Sequence, residues 1–311
     1  MNYKDLRIVF MGTPEFAVAS LNALVNAGCN IVAVVTAPDK PAGRGLQLNE
    51  SAIKKYAVAN NLKILQPVKL KSVDFIETLK SLKADVQIVV AFRMLPEMVW
   101  NMPTMGTINV HGSLLPQYRG AAPINWAVIN GEKFTGVTTF KLKHAIDTGN
   151  ILLQESLAID ENETAGEVHD KMKELGAELL LKTIQQLAEG KLIEQEQNKL
   201  NNTLTLKHAP KLYSENGKID FSKTVEEVHN LVRGLSPFPG AYTFLNNKLL
   251  KIYRTIKEVS DEPLEVGSIK SDGKKYFKMA CCNGYINILE LQLEGKKRMK
   301  IEDFLRGNKI Q

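Results

Sequence analysis

Residues 6–12 read LRIVFMG, and Thr13-Pro14 follow. The first six form a nearly unbroken apolar run, without the polar alternation of a strand that keeps one face in water. Such a run reads as a parallel strand buried on both faces. Pro14 can open a helix, because the amide it lacks would be unpaired in the first turn anyway. That helix is expected to run to about Ala27, where Gly28 stops it. Residues 30–36 (NIVAVVT), 86–92 (VQIVVAF) and 106–110 (GTINV) repeat the buried-strand signature. Helical stretches at 51–60 and 72–82 and a short strand at 62–65 lie between them, and a helical stretch at 123–130 follows. This alternation predicts a Rossmann-like α/β fold, an open parallel sheet covered by helices on both faces. Strands at 136–141 and 150–157 and a helix at 164–188, begun by the capping pattern Thr164-x-x-Glu167, complete the first part.

Residues 190–210 are polar, with little periodicity (EQEQNKLNNTLT within them), and read as a linker. Beyond them come a helix near 224–233 and short strands near 241–245, 249–253, 265–269, 276–280 and 285–293. Gly, Asn and Asp separate these strands, a spacing that suggests a small antiparallel β-barrel, OB-like. Barrels of this kind often bind oligonucleotides. The expected division is residues 1–189, linker 190–210 and residues 211–311.

A length of 311 residues also suits two domains. Hydrophobic content of 44% and charged content of 24% are ordinary for a globular chain. No run approaches the ~18 apolar residues of a membrane span. The opening segment leads into Gly12-Thr13-Pro14 without a secretory cleavage pattern, so it is read as a strand. Cys29, Cys281 and Cys282 have no CxxC spacing, so no zinc site and no disulfide framework is expected, and a reducing, cytoplasmic setting fits. The net charge of +6 is unevenly spread: 19 basic and 19 acidic residues through Glu189, then 21 and 15. The basic half is suited to attract a polyanion.

The segment most informative about chemistry is 107–120, TINVHGSLLPQYRG. Asn109 and His111 stand two apart at the end of a predicted strand, so both side chains point the same way. In open α/β sheets ligands bind outside the carboxyl ends of strands, where this amide and imidazole would be presented together. Asp147-Thr148-Gly149 follows downstream; Asp147 can be read either as a turn residue or as a carboxylate acting beside His111. The turn at Gly12 lacks the GxGxxG of a dinucleotide site, so nicotinamide binding is not expected.

Asn109-Val110-His111-Gly112-Ser113-Leu114-Leu115-Pro116, then Tyr118-Arg119-Gly120 and Asp147-Thr148-Gly149, together resemble the signature of the folate-dependent formyltransferases. Gly12-Thr13-Pro14, the loop Pro38-Asp39-Lys40-Pro41-Ala42-Gly43-Arg44-Gly45 and Arg119-Gly120-Ala121-Ala122-Pro123-Ile124 narrow the resemblance. They point to the branch of that family that formylates methionyl-tRNA. The likeness runs from about Leu6 to Ile301 and is more specific in the first domain.

What the resemblance implies is a catalytic trio of Asn109, His111 and Asp147. It also implies a folate pocket lined by Ser113, Leu114, Leu115 and Pro116 and by Phe92, Arg93, Met94 and Leu95. The donor would be 10-formyltetrahydrofolate, with no metal. Asn109 and His111 would donate to an oxyanion, and Asp147 would accept the amine's proton. The family's Ala-Tyr-Gly-x-Ile-Leu-Pro stretch is one residue shorter here, Ala91-Phe92-Arg93-Met94-Leu95-Pro96. The partner would be initiator methionyl-tRNA, with Lys40 and Arg44 at its acceptor stem and Lys296, Lys297 and Arg298 on its phosphates. The enzyme would be a monomer. A formyltransferase acting on a sugar amine would share the trio but not the long basic loop or the basic second domain. A tRNA-binding module without catalysis would not need the trio.

Overall fold

The computed structural model describes residues 1–42, 47–200 and 205–308, with backbone only at residues 41, 42 and 47. A seven-stranded sheet is built from β1 (Arg7–Gly12), β2 (Asn30–Val35), β3 (Ile64–Leu65), β4 (Val86–Val90), β5 (Thr107–His111), β6 (Phe134–Lys141) and β7 (Ile151–Ala158). Its order is β7-β6-β5-β4-β1-β2-β3. The pairs from β3 across to β5 are parallel. The sheet turns antiparallel where β6 meets β5, so it is mixed rather than wholly parallel. The outer strand β7 is buried at Ile151 and Leu152 and largely exposed from Gln154 to Ala158, as an edge strand of a sheet can be.

The apolar run in β1 is buried as its composition requires: Ile8, Val9, Phe10 and Met11 are each 0% exposed. Val9 and Met11 face one layer with Ala33, Val35, Phe75, Leu79, Leu95 and Val99. The helix after β1, Glu15–Asn26, starts at Pro14 and ends before Gly28, whose φ of 75° lets the chain turn into β2. Thr164 and Glu167 form the expected reciprocal cap: the Glu167 amide donates to Thr164 Oγ1 at 3.3 Å and the Thr164 amide to Glu167 Oε2 at 2.9 Å.

A second sheet contains β8 (Ala241–Leu245), β9 (Lys248–Val259), β10 (Ile269–Ser271), β11 (Phe277–Cys281), β12 (Gly284–Leu293) and β13 (Met299–Lys300). It is antiparallel, ordered β8-β9-β12-β11-β10 with β13 on β12, and register shifts near Arg254 bend β9. Helix Val225–Leu235 buries Val225, Val228, Val232 and Leu235 against Leu250, Ile252, Phe277, Ile288 and Phe304.

The described residues form two compact units that interleave along the chain. One holds Met1–Arg119, Gly136–Leu157 and Asp170–Lys207. The other holds Gly120–Thr135, Ala158–His169 and His208–Gln311, where the sequence reading divided the chain once, at residues 190–210. The polar stretch 190–200 packs within the first unit. There, Gln195 and Ile151 exchange backbone hydrogen bonds at 2.8 and 2.9 Å. Among the described residues no helix is long and apolar enough to cross a membrane.

Candidate active site

The parallel strands β1, β4 and β5 deliver Gly12, Ala91 and His111 to one edge of the sheet, the edge where α/β proteins bind ligands. Strand alternation puts Asn109 and His111 on the same face of β5, two steps apart. Asn109 pairs in register with Val89 on one side and Phe140 on the other. The buried neighbouring strands therefore hold its backbone in place.

His111 is 7% exposed. Its Nε2 faces the Tyr118 carbonyl oxygen at 2.9 Å. A carbonyl only accepts, so Nε2 carries the proton. Nδ1 points to the other side, 3.9 Å from Asp147 Oδ2. The Phe140 ring meets the imidazole edge-on at a centroid distance of 6.3 Å and restrains its plane. Nδ1 is the nitrogen left to meet a reacting atom. It accepts a hydrogen bond when the ring carries one proton and donates when it carries two.

The loop after β5 is fastened by Thr138 of β6. Thr138 Oγ1 donates to the Ser113 carbonyl at 2.6 Å and accepts from the Leu115 amide at 3.1 Å. Gln154 Nε2 of β7 adds bonds of 2.9 Å to both Leu115 O and Thr138 Oγ1. Ser113 and Leu115 are 0% and 2% exposed, and the Ser113 hydroxyl donates to Gln117 O at 2.6 Å. These side chains shape the loop from within. Pro116 is also buried, after a cis peptide, and Leu114 is half-buried.

In the segment after β4, Met94 is 75% exposed, Leu95 is buried and Phe92 is half-buried. Arg93 donates to the carbonyls of Pro67 and Val68 and lies 5.4 Å over the Phe92 ring. Burial draws the Arg93 guanidinium pKa below its ordinary value.

The Asp147 turn is held by residues the sequence reading assigned to a linker. Gln197 is 2% exposed, and its Nε2 donates to Asp147 O at 2.9 Å and Gly149 O at 2.7 Å. Its Oε1 accepts from Arg119 Nε at 3.0 Å and Nη2 at 2.7 Å. Burial lowers the Arg119 pKa, and the Asp147 carboxylate offsets part of that shift. Glu194 pairs with Lys141 Nζ at 2.5 Å and accepts from Asn150 Nδ2 at 2.8 Å. Gly149 is required by space: a Cβ there would stand 1.6 Å from the Lys141 carbonyl oxygen. No periodicity marked Gln197, because a single buried amide in a polar stretch has no pattern; only its contacts reveal it.

The Formyl transferase family matches residues 6–184, and the Formyl transferase C-terminal domain matches residues 211–309. The chain belongs to the formyltransferase family. Methionyl-tRNA formyltransferase of Phocaeicola vulgatus is 53% identical over 99% of this chain and 97% of its own length. The same-named enzyme of Azobacteroides pseudotrichonymphae is 51% identical over 99% and 98%. Among solved structures, an N-formyltransferase from Helicobacter canadensis in complex with folinic acid and dTDP-3-aminofucose superposes with a TM-score of 0.68 at 22% identity. It covers 94% of this chain and 100% of its own, and at that identity the likeness is one of fold.

The basic residues expected at RNA in this formyltransferase are in different situations. Lys40 is exposed on a strand paired with Gln47–Asn49. Arg44 lies outside the described residues. Lys296 and Lys297 are exposed on the turn after β12. Arg298 instead binds Glu290, through Nε at 2.8 Å and through Nη2, and stacks 4.4 Å from the Tyr253 ring centroid. Among the described residues no group of three or more His, Cys, Asp or Glu side chains is placed to hold a metal ion.

Proposed function

We propose that this formyltransferase moves the formyl group of 10-formyltetrahydrofolate to the amino group of methionine on initiator methionyl-tRNA, in the cytoplasm and as a monomer. The observation that carries the chemistry is the grouping of Asn109 and His111 on one strand face, with Asp147 3.9 Å from His111 Nδ1. The choice of acceptor rests on relatives about half identical over nearly the whole chain, which bear the name methionyl-tRNA formyltransferase.

In this reading the neutral amine attacks the formyl carbon, and the carbonyl oxygen becomes an oxyanion. Asn109 Nδ2, and His111 Nδ1 when the ring carries both protons, donate to it. A preorganised donor of this kind contributes ~3–4 kcal/mol in the transition state. The amine proton leaves to Asp147, directly or through water. Collapse breaks the bond to the folate nitrogen, which takes up a proton as it departs. Ser113, Leu114, Leu115 and Pro116, with Phe92, Arg93, Met94 and Leu95, would line the pterin end of the carrier. The unit that holds the first sheet, with Gln197 from the polar stretch after residue 189, would carry the chemistry, and residues 211–311 would supply phosphate attraction.

The test incubates the protein with 10-formyltetrahydrofolate carrying a labelled formyl group and a panel of acceptors: initiator and elongator methionyl-tRNA, other charged tRNAs and nucleotide-linked amino sugars. Label is expected on the methionine of initiator tRNA, without added metal. Label confined to an amino sugar, or activity that a chelator abolishes and a metal restores, would overturn the reading.

A further inference from the structure

We infer that Gln197 is a positioning residue for the transfer step: its buried amide sets where Asp147 stands relative to His111. This rests on the formyl-transfer reading above and adds to it a residue from outside the Asn-His-Asp grouping.

The amide makes four hydrogen bonds, two accepted by Oε1 and two donated by Nε2. Both hydrogens and both acceptor sites of the side chain are therefore used. Its orientation is unambiguous, since turning it over would set an oxygen against two carbonyls and an NH₂ against a guanidinium. One planar group thus ties together the two segments that frame the site. One segment is Tyr118-Arg119, whose Tyr118 carbonyl receives the His111 Nε2 hydrogen bond at 2.9 Å. The other is the turn that carries Asp147, a non-glycine residue held at φ 53°. Aspartate adopts that left-handed conformation more readily than most non-glycine residues, and the Gln197 bonds to the carbonyls of residues 147 and 149 hold the turn on both sides of it.

Gln197 is in turn held in place. Gln195 forms an antiparallel bridge with Ile151. Glu194 is bound by Lys141, the last residue of β6, and by Asn150, the residue before β7, on either side of the Asp147 turn. One residue, Glu196, separates Gln195, bonded to Ile151, from Gln197, bonded to Asp147 and Gly149. Errors of about 1 Å in placing a reacting group cost on the order of 10²-fold in rate, so a fixed Asp147–His111 spacing is worth a dedicated amide.

No other side chain meets these requirements. Asparagine is one methylene too short. Glutamate keeps the bonds from Arg119 but sets an oxygen against the carbonyls of Asp147 and Gly149. Methionine keeps volume and loses all four bonds.

The experiment compares Gln197→Glu and Gln197→Met with the unaltered protein. For each, kcat, KM for 10-formyltetrahydrofolate and for initiator methionyl-tRNA, the pH–rate profile and the thermal midpoint are measured. Formylation by the unaltered protein is the control for the functional reading; its absence would sink that reading and leave Gln197 aside. With the control active, kcat is expected to fall about 10- to 100-fold in both variants. Both KM values should stay within about threefold, and the pH–rate profile should change shape. Wild-type kcat and pH profile in folded variants would overturn the proposal. So would a kcat loss that disappears on cooling below a lowered thermal midpoint, since that marks a purely structural role. If Gln197→Met does not fold, Gln197→Glu, which keeps the volume and the Arg119 bonds, carries the same comparison.

Discussion

His111 Nδ1 and Asp147 Oδ2 stand 3.9 Å apart, while Nε2 of the same ring is 2.9 Å from the Tyr118 carbonyl oxygen. The second contact fixes which nitrogen carries the proton. The first is too long for a hydrogen bond yet short enough for the two groups to act on a common atom. Asn109, on the same face of β5, completes the group.

If these three residues act as one unit, replacing any of them with alanine lowers turnover by ~10²-fold or more. The affinity for tRNA changes little, because none of the three is placed to hold phosphate. Single-turnover formylation and a separate binding titration measure the two quantities. Near-normal turnover in His111→Ala would remove the imidazole from the mechanism.

Thr138→Val keeps the shape of the side chain and deletes the hydroxyl that links Ser113, Leu115 and Gln154. The Leu115 amide is then buried without its partner, which costs ~1–3 kcal/mol. We expect lower stability in denaturant and a raised KM for the folate donor, with kcat less affected. Unchanged KM and stability would show that the loop at Ser113–Pro116 is held by other contacts.

Glu194 offers a pH test. Burial tends to raise its pKa, but hydrogen bonds from Lys141 and Asn150, together with the charges of Lys141 and Lys143, outweigh burial and hold it below the ordinary 4.5. A carboxylate with a lowered folded pKa contributes stability that is fully present above its unfolded pKa. That contribution disappears as pH falls through the folded value. The thermal midpoint of the unaltered protein should therefore drop between about pH 5 and pH 3 more steeply than that of Glu194→Gln. Parallel curves for the two proteins would remove Glu194 as a source of acid sensitivity.

The basic residues of the second sheet should separate by their neighbours. Lys296→Ala and Lys297→Ala should weaken initiator and elongator tRNA alike and flatten the salt dependence, as loss of phosphate contacts does. Arg298→Ala breaks its contacts with Glu290 and Tyr253 and should lower the thermal midpoint as well. Arg44→Ala should reduce turnover mainly on initiator tRNA. Salt titrations of binding, paired with formylation of both tRNAs, make the comparison. Equal behaviour of Arg44→Ala and wild type on both tRNAs would place discrimination elsewhere.

Local sequence was enough to specify the first sheet's strands, the helix between Pro14 and Gly28 and the Thr164–Glu167 cap. Each depends on residues a few positions apart, and burial or hydrogen bonding follows from that spacing alone. The same holds for Asn109 and His111, which strand alternation sets on one face, and for strand 241–245, which the second sheet contains as read. Tertiary structure decided what distant segments do to one another. It brought Asp147 to His111 across 36 positions of chain, turned the sheet antiparallel at β6 and gave Arg93 and Arg298 partners within the protein. It also drew Gln197, in a stretch as polar as any linker, into a buried bond network with Arg119 and the Asp147 turn. A buried polar group is selected by the partners that satisfy it. Those partners lie 50 and 78 residues away, a separation over which no periodic pattern carries information.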